Sequence, residues 1–386
     1  MSLRSLLPKA GLAIFIRWSV RYLFGRRGQR RVAGLRLFYR LRTLVILHSA
    51  DPIGRLTRVP EIRLWVDGVA AFARLEKLIR RARHSIVIQM FIWKDDDTGR
   101  MVARRLLEAA DRGIHIDITK DSVGDIFELR GDFVGTKNSI HPLWKRFWSH
   151  PNIHITYGTQ RDHAKVYVID DQTLLLTGMN IADEYHYDWH DYMVEIRGQA
   201  FVEQYLTRQS APARAQVRLV VNTEESCEMR SVLLSLLREA RQSVVAEHCY
   251  LSDPEVIEEC IRLSHRGVHV TFILPERLDF HHHANMLAVG RLLAEADRSF
   301  MRILLYPGMI HAKIVLIDSQ KAFLGSANLM RSSLDDMGEV NVLIQSRTRA
   351  LHRLQETLRA DILRSRAISS TPPFLWVSRW LAWLGL

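Results

Sequence analysis

Two stretches of the chain repeat one pattern of apolar and polar positions. Residues 82–93 read ARHSIVIQMFIW and residues 240–251 read ARQSVVAEHCYL. Each contains an apolar run of strand length and follows an amphipathic helical stretch, over roughly 68–82 and 226–240. An acidic turn comes next, Asp95-Asp96-Asp97 or Asp253-Pro254, of the kind that caps a second helix. Those second helices end at Arg112-Gly113 and Arg266-Gly267, glycine being the usual residue of a left-handed helix stop. New strands then begin, Ile114–Ile118 and Val268–Phe272. Strand–helix–strand units of this kind predict an α/β fold, a mixed β-sheet flanked by helices, and two copies predict two similar domains. The expected limits are 56–206 and 217–365, with a polar linker at 207–216 between them.

A set of polar residues is duplicated downstream. The first half holds His163-Ala164-Lys165, Asp170, Gly178-Met179-Asn180 and Asp191. The second holds His311-Ala312-Lys313, Asp318, Gly325-Ser326-Ala327-Asn328 and Glu339. The His, Lys, Asp, Asn and final acid are each 148 residues from their counterparts, a spacing that secondary structure alone does not require. Each His-x-Lys opens an apolar run, Val166–Ile169 or Ile314–Ile317, and residues two apart on a strand share a face. A second apolar run leads to the Gly–Asn turn, so a hairpin presents His, Lys and Asn toward one place.

These residue types suit phosphate chemistry. Lysine supplies a point charge and asparagine supplies amide donors, which together hold non-bridging phosphate oxygens. Histidine is a nucleophile when neutral and a proton donor when charged. The acid twenty-eight residues after each histidine, Asp191 or Glu339, is expected to accept its second ring proton and fix the tautomer. Asp170 and Asp318, at strand ends, are expected to bind turn backbone and position the loop.

Charge changes the picture once it is located. The formal net charge is +12, but residues 1–50 carry Lys9, ten arginines and no acid, so the body is near neutral. A nucleic-acid groove needs several backbone contacts from Lys or Arg, and no nucleic acid is expected as a partner. Within the arm (1–55), Leu12, Phe15, Ile16, Val20, Leu23 and Phe24 fall at helical spacing beside Arg17 and Arg21. That mixture fits an interfacial segment on an anionic membrane surface better than a membrane span. The end of the tail (366–386), with Trp376, Trp380 and Trp383 after Pro372-Pro373, either meets the membrane interface or docks on the body. Cys227, Cys249 and Cys260 form no CxxC pair, so neither a disulfide framework nor a zinc site is expected.

The two polar sets resemble the paired HKD motifs, HxKxxxxDxxxxxxG(S/G)xN, of the phospholipase D superfamily. The second set fits throughout, while the first carries Thr177 where a glycine is common, a departure expected to tune the phosphate loop. The flanks, Asn180–Tyr185, Trp189-His190-Asp191, Tyr306–Lys313 and Gly325–Leu329, resemble those of bacterial cardiolipin synthases over most of 60–350. Two positions depart from that pattern, Met330 and Gly338. The resemblance implies two domains related by a pseudo-twofold axis with the active site between them. It also implies a two-step reaction without metal or cofactor, with His163 as nucleophile through a phosphohistidine and His311 as acid and base. The substrate implied is a phospholipid, phosphatidylglycerol with cardiolipin as product, on a bacterial inner membrane with the catalytic body toward the cytoplasm. Water as acceptor makes a phospholipase instead, and a nuclease of the same fold is a further alternative.

Three other features have ordinary explanations. Consecutive His281, His282 and His283 point in different directions and are expected as loop residues near the site entrance. Asp95–Asp97 is expected to cap a helix. Trp144, Phe147 and Trp148 either line an acyl groove or fill a helix core.

Overall fold

The computed structural model describes residues 60–124, 141–158, 161–208, 215–223 and 226–370. The basic arm, the middle of the linker and the tail from 371 onward lie outside these described residues.

The first half runs β1 (Glu61–Val66), α1 (Gly68–Arg81), β2 (Ser85–Met90), α2 (Asp97–Asp111), β3 (His115–Asp121), α3 (Pro142–Ser149), β4 (Ile153–Gly158), β5 (Lys165–Ile169), β6 (Thr173–Thr177) and β7 (Tyr192–Arg197). A π-helical turn, Glu184–Asp188, precedes β7, and α4 (Gln199–Thr207) leads out of it. The second half runs β8 (Val217–Asn222), α5 (Met229–Glu239), β9 (Ser243–His248), α6 (Pro254–His265), β10 (His269–Pro275), α7 (His282–Glu295), β11 (Met301–Tyr306), β12 (Lys313–Ile317) and β13 (Lys321–Gly325). A second π-helical turn, Ser332–Asp336, then precedes β14 (Glu339–Ile344), α8 (Arg349–Arg364) and β15 (Arg366–Ile368).

The first sheet is ordered β1-β7-β6-β5-β2-β3-β4. Read from its β8 edge, the second is β8-β14-β13-β12-β9-β10-β11-β15, the same order with one strand added. In each, three strands are parallel (β2, β3, β4 or β9, β10, β11), and β5 or β12 pairs antiparallel with the first of them. The carboxyl ends of the parallel strands and the starts of β5 and β12 therefore share one edge of each sheet. The two histidines sit at that edge.

The sheets are buried on both faces, which is why their strands read as continuous apolar runs. Val166, Val168, Leu174 and Leu176 share one core with Ile314, Leu316, Ala322 and Leu324 from the other half. Tyr167 and Leu175 turn outward onto α1 and α2, and Val315 and Phe323 onto α5 and α6. Removing such side chains from water stabilises by about 1.5–3 kcal/mol each, so the middle layer is a main cohesive term between the halves.

Helix ends follow local chemistry. The Asp96 carboxylate caps α2 by accepting from Gly99 N, and its other oxygen accepts from Asp183 N. Asp253 caps α6 through Glu255 N and Val256 N. Gly113 and Gly267, at φ 88° and 77°, supply the left-handed residue after α2 and α6. Among the described residues no helix is long and apolar enough to cross a membrane.

Candidate active site

The hairpins β5–β6 and β12–β13 anchor the site from their far ends. The residue after each first strand, Asp170 or Asp318, takes a left-handed conformation (φ 55° and 49°). Its carboxylate accepts from three successive backbone amides: Arg83, His84 and Ser85, or Arg241, Gln242 and Ser243. These amides lead into β2 and β9, so each aspartate locks a hairpin to the neighbouring parallel strand. Of the candidate set these two are not brought to the histidines; they lie at the opposite end of the strand.

At the near end the chain segments before the histidines cross between halves. His163 N donates to Gly338 O at 2.8 Å, and Gly338 N donates to Arg161 O at 2.9 Å. The counterpart is His311 N donating to His190 O at 2.7 Å, with His190 N donating to Met309 O at 3.0 Å. Gly338 and His190 each immediately precede an acid. The crossing therefore carries Glu339 to His163 and Asp191 to His311.

The sequence spacing had each acid serving the histidine of its own half; the structure exchanges them. His163 Nδ1 lies 3.0 Å from Glu339 Oε1, and His311 Nδ1 lies 2.8 Å from Asp191 Oδ2. With Nδ1 held by a carboxylate, Nε2 of each imidazole is the nitrogen left for chemistry.

Both lysines are buried. Lys165 Nζ donates to His163 O at 2.6 Å and lies 5.1 Å from the Phe91 ring centroid. Lys313 Nζ donates to His311 O and lies 2.8 and 3.0 Å from the two nitrogens of the His311 ring. Burial, with Lys313 nearby, brings Lys165 down to about 7. Burial and the neighbouring lysines hold His163 below its usual value and His311 well below it. Burial lifts Asp191 to about 7 against the pull of Lys313. The charges of Lys165, Lys313, Asp191 and Glu339 thus bear on His163 and His311 within one confined site.

The two acids are supported differently. Glu339 accepts from Ser326 Oγ at 2.5 Å and from Ser333 Oγ at 2.7 Å. Asp191 accepts from Tyr192 N at 2.7 Å, and a Cβ on Gly178, the counterpart of Ser326, would stand 2.4 Å from its Oδ2. Thr177 stands outside this exchange: its Oγ1 donates to Tyr192 O and accepts from Met179 N, bracing the turn. The amide oxygens of Asn180 and Asn328 accept from Ile92 N and Cys249 Sγ, which anchors both asparagines to the ends of β2 and β9.

Several residues beside the site carry no signal in the polar motif. Tyr185 and Trp189 flank His311, with ring centroids 5.0 and 5.6 Å away, whereas Phe91 meets His163 at 5.0 Å. Cys249, which occupies the tenth place of the repeated twelve-residue stretch as Phe91 does, touches Lys313. That repeat was the available clue. His281 sits before α7, its ring 4.9 Å from Tyr250. Trp144 and Phe147 pack with Trp93 in the helix core, while Trp148 is exposed.

The family model described as "Cardiolipin synthase, PLD-like domain" matches residues 75–210 and 233–362. Cardiolipin synthase A of Pseudomonas entomophila is 28% identical over 363 residues, covering 84% of this chain and 73% of that one. The Pseudomonas fluorescens protein of the same name is 28% identical over 360 residues, with the same shares covered. Phosphatidylserine synthase of Haemophilus influenzae has a similar fold, with TM-score 0.64 at 14% identity over 86% of this chain and 96% of that one. The two-segment match falls on the two halves that meet at His163 and His311, and the chain belongs to the PLD-like domain family of cardiolipin synthases, enzymes of the phospholipase D superfamily.

Proposed function

We propose that the protein transfers a phosphatidyl group between phospholipid alcohols, joining two phosphatidylglycerols into cardiolipin and releasing glycerol. The observation that carries this reading is the pair of exchanged His–acid contacts flanked by two buried lysines. Lys165, Lys313, Asn180 and Asn328 hold the non-bridging oxygens of the substrate phosphate. Neutral His163, with its Nδ1 proton on Glu339, attacks phosphorus through Nε2. The P–O bond to glycerol breaks, and that oxygen takes the Nε2 proton of His311. The headgroup hydroxyl of a second phosphatidylglycerol then gives its proton to His311, and its oxygen displaces His163 from phosphorus. Glu339 and Asp191 hold the imidazoles through both steps, the orienting role that carboxylates play beside catalytic histidines.

The arriving phosphodiester anion offsets the ammonium charges that depress His311, so substrate itself favours the protonated acid. The basic arm, 1–50, brings this body to the anionic face of a bacterial inner membrane, with the 374–386 segment as a second contact.

The test is a lipid-product assay in EDTA with phosphatidylglycerol vesicles, alongside His163→Ala and His311→Ala. Cardiolipin from the wild type alone is the expected result. Phosphatidic acid as the sole product makes the protein a hydrolase. No phospholipid turnover, together with cleavage of single-stranded DNA, overturns the lipid reading.

A further inference from the structure

His190 immediately precedes Asp191, and its side chain is buried in a polar cluster behind the site. Nδ1 lies 2.6 Å from Asp67 Oδ1, and Nε2 lies 3.0 Å from the Tyr192 hydroxyl and 3.4 Å from Asp361 Oδ2. The Tyr192 hydroxyl donates to Glu247 Oε2 at 2.7 Å. The ring stacks on Tyr306, centroids 5.4 Å apart at 18°. Asp67 follows β1 in the first half, whereas Glu247 lies on β9 and Asp361 on α8 in the second. Cluster and site are joined through backbone as well. His190 O accepts from His311 N, and Asp67 N donates to Asp191 O at 2.9 Å.

His190, Glu247 and Asp361 are close enough to share a metal ion, but the Tyr192 hydroxyl already stands among them and hydrogen-bonds to each. A buried cation that the protein itself supplies accounts for the arrangement better. Glu247 and Asp361 are fully buried, and each has one carboxylate oxygen without a hydrogen-bond partner. Two buried carboxylates need a positive partner or a proton. The imidazole is the basic side chain in contact with both.

We propose that His190 is a positioning residue, a permanently charged imidazolium that ties Asp67, Glu247 and Asp361 together across the halves and keeps Asp191 ionised against His311. The inference rests on the two-histidine phosphodiester reading but not on the identity of the alcohol. Burial works against charge on His190, yet hydrogen bonds to Asp361 and Asp67 and the field of Glu247 outweigh it and lift the group to about 11. The charge in turn draws the Asp191 carboxyl downward from the value that burial gives it. The other groups facing the cluster are Tyr192 on β7, Tyr306 on β11 and the exposed Arg364 on α8, whose Nη1 lies 3.9 Å from Asp361 Oδ1. The device exists on one side only. The pseudo-symmetric residue is Gly338, where a Cβ would meet Asp162 Oδ1 at 2.5 Å.

The experiment compares wild type, His190→Gln, His190→Arg and Asp361→Asn. Both phosphatidylglycerol vesicles and bis(p-nitrophenyl) phosphate serve as substrates. His190→Gln is expected to lower kcat about 100-fold with KM little changed. The acid limb of its kcat profile should move up by about one pH unit, because a carboxylate that loses a neighbouring cation holds its proton longer. His190→Arg, which keeps the charge, should restore the wild-type limb, and Asp361→Asn should leave that limb in place. A limb unmoved in His190→Gln, or moved equally in His190→Arg, overturns the charge role. Nitrogen-15 spectra of the histidine-labelled wild type test it without any substrate. The resonance absent from His190→Gln should stay doubly protonated through about pH 8.5, and titration near pH 6.5 overturns the inference. Turnover of bis(p-nitrophenyl) phosphate without turnover of lipid sinks the lipid reading and leaves this one standing.

Discussion

His163 and Glu339 are 176 residues apart in the chain and joined by a 3.0 Å hydrogen bond between their side chains. The reciprocal pair, His311 and Asp191, is 120 residues apart at 2.8 Å. Neither half therefore contains a complete His–acid couple. Each half lends its acid to the other, so the proposed mechanism requires the halves to be docked.

The exchange can be read directly. In nitrogen-15 spectra of the histidines, Glu339→Gln should perturb the His163 ring and Asp191→Asn the His311 ring. The opposite pattern would restore pairing within each half. Each substitution should lower kcat by up to about 10⁴-fold, the loss seen when a catalytic histidine loses its orienting carboxylate.

The unequal support of the two acids makes Ser326 and Gly178 non-interchangeable. Ser326→Ala removes a buried donor to Glu339 and should lower stability by about 1.5–3 kcal/mol, read from denaturant unfolding. Gly178→Ser, which copies the second half into the first, should be worse for activity. Its Cβ meets the Asp191 carboxylate at 2.4 Å and must displace it from His311, and a displacement of this size costs about 100-fold in kcat.

Anion binding should take up protons. Lys165 lies at about 7 in the free site, and a bound anion favours its protonated form. Tungstate titrated at pH 8 in buffers of different ionisation enthalpy should show net uptake of about one proton. Its affinity should fall as pH rises from about 7 to 9, because Lys165 must then be protonated on binding. Proton release, or affinity that does not depend on pH, would contradict this account of the lysine.

Away from the site, Arg74 on α1 grips Glu195 on β7 with two hydrogen bonds of 2.8 and 2.6 Å, both side chains being buried. Glu195→Ala leaves a buried guanidinium without its partner and should destabilise by about 3–5 kcal/mol. Although burial raises the Glu195 carboxyl, its bonds to Arg74 hold it below the ordinary glutamate value. The pair's contribution is therefore present above that ordinary value and lost as pH falls through the lowered one. In acid unfolding, wild type should lose its advantage over Glu195→Ala in that window.

Much of the scaffold was legible because it is local. The apolar run of β2, the acidic cap Asp96 and the stop at Gly113 follow from rules that act within a few residues, and all recur in the second half. The backbone-locking geometry of Asp170 and Asp318 likewise sits where a strand meets a turn. The aromatic neighbours stood in the sequence only as part of the flanks that carry the resemblance, without their contact to His311. Tyr185 and Trp189 come to His311 from a π-helical turn of the opposite half, and no periodicity in the sequence announces that approach.

The sequence by itself determined the duplication, the two His-x-Lys hairpins and the set of residues able to work on a phosphodiester. Hydrophobic alternation, turn chemistry and a fixed offset are properties of the chain before it folds. Only the tertiary structure decided which acid serves which histidine, and it placed His190 among carboxylates from both halves. Those outcomes depend on two sheets sharing one apolar layer and on backbone crossings at Gly338 and His190. Burial energy holds the sheets together without regard to register, and the crossing hydrogen bonds then fix the register.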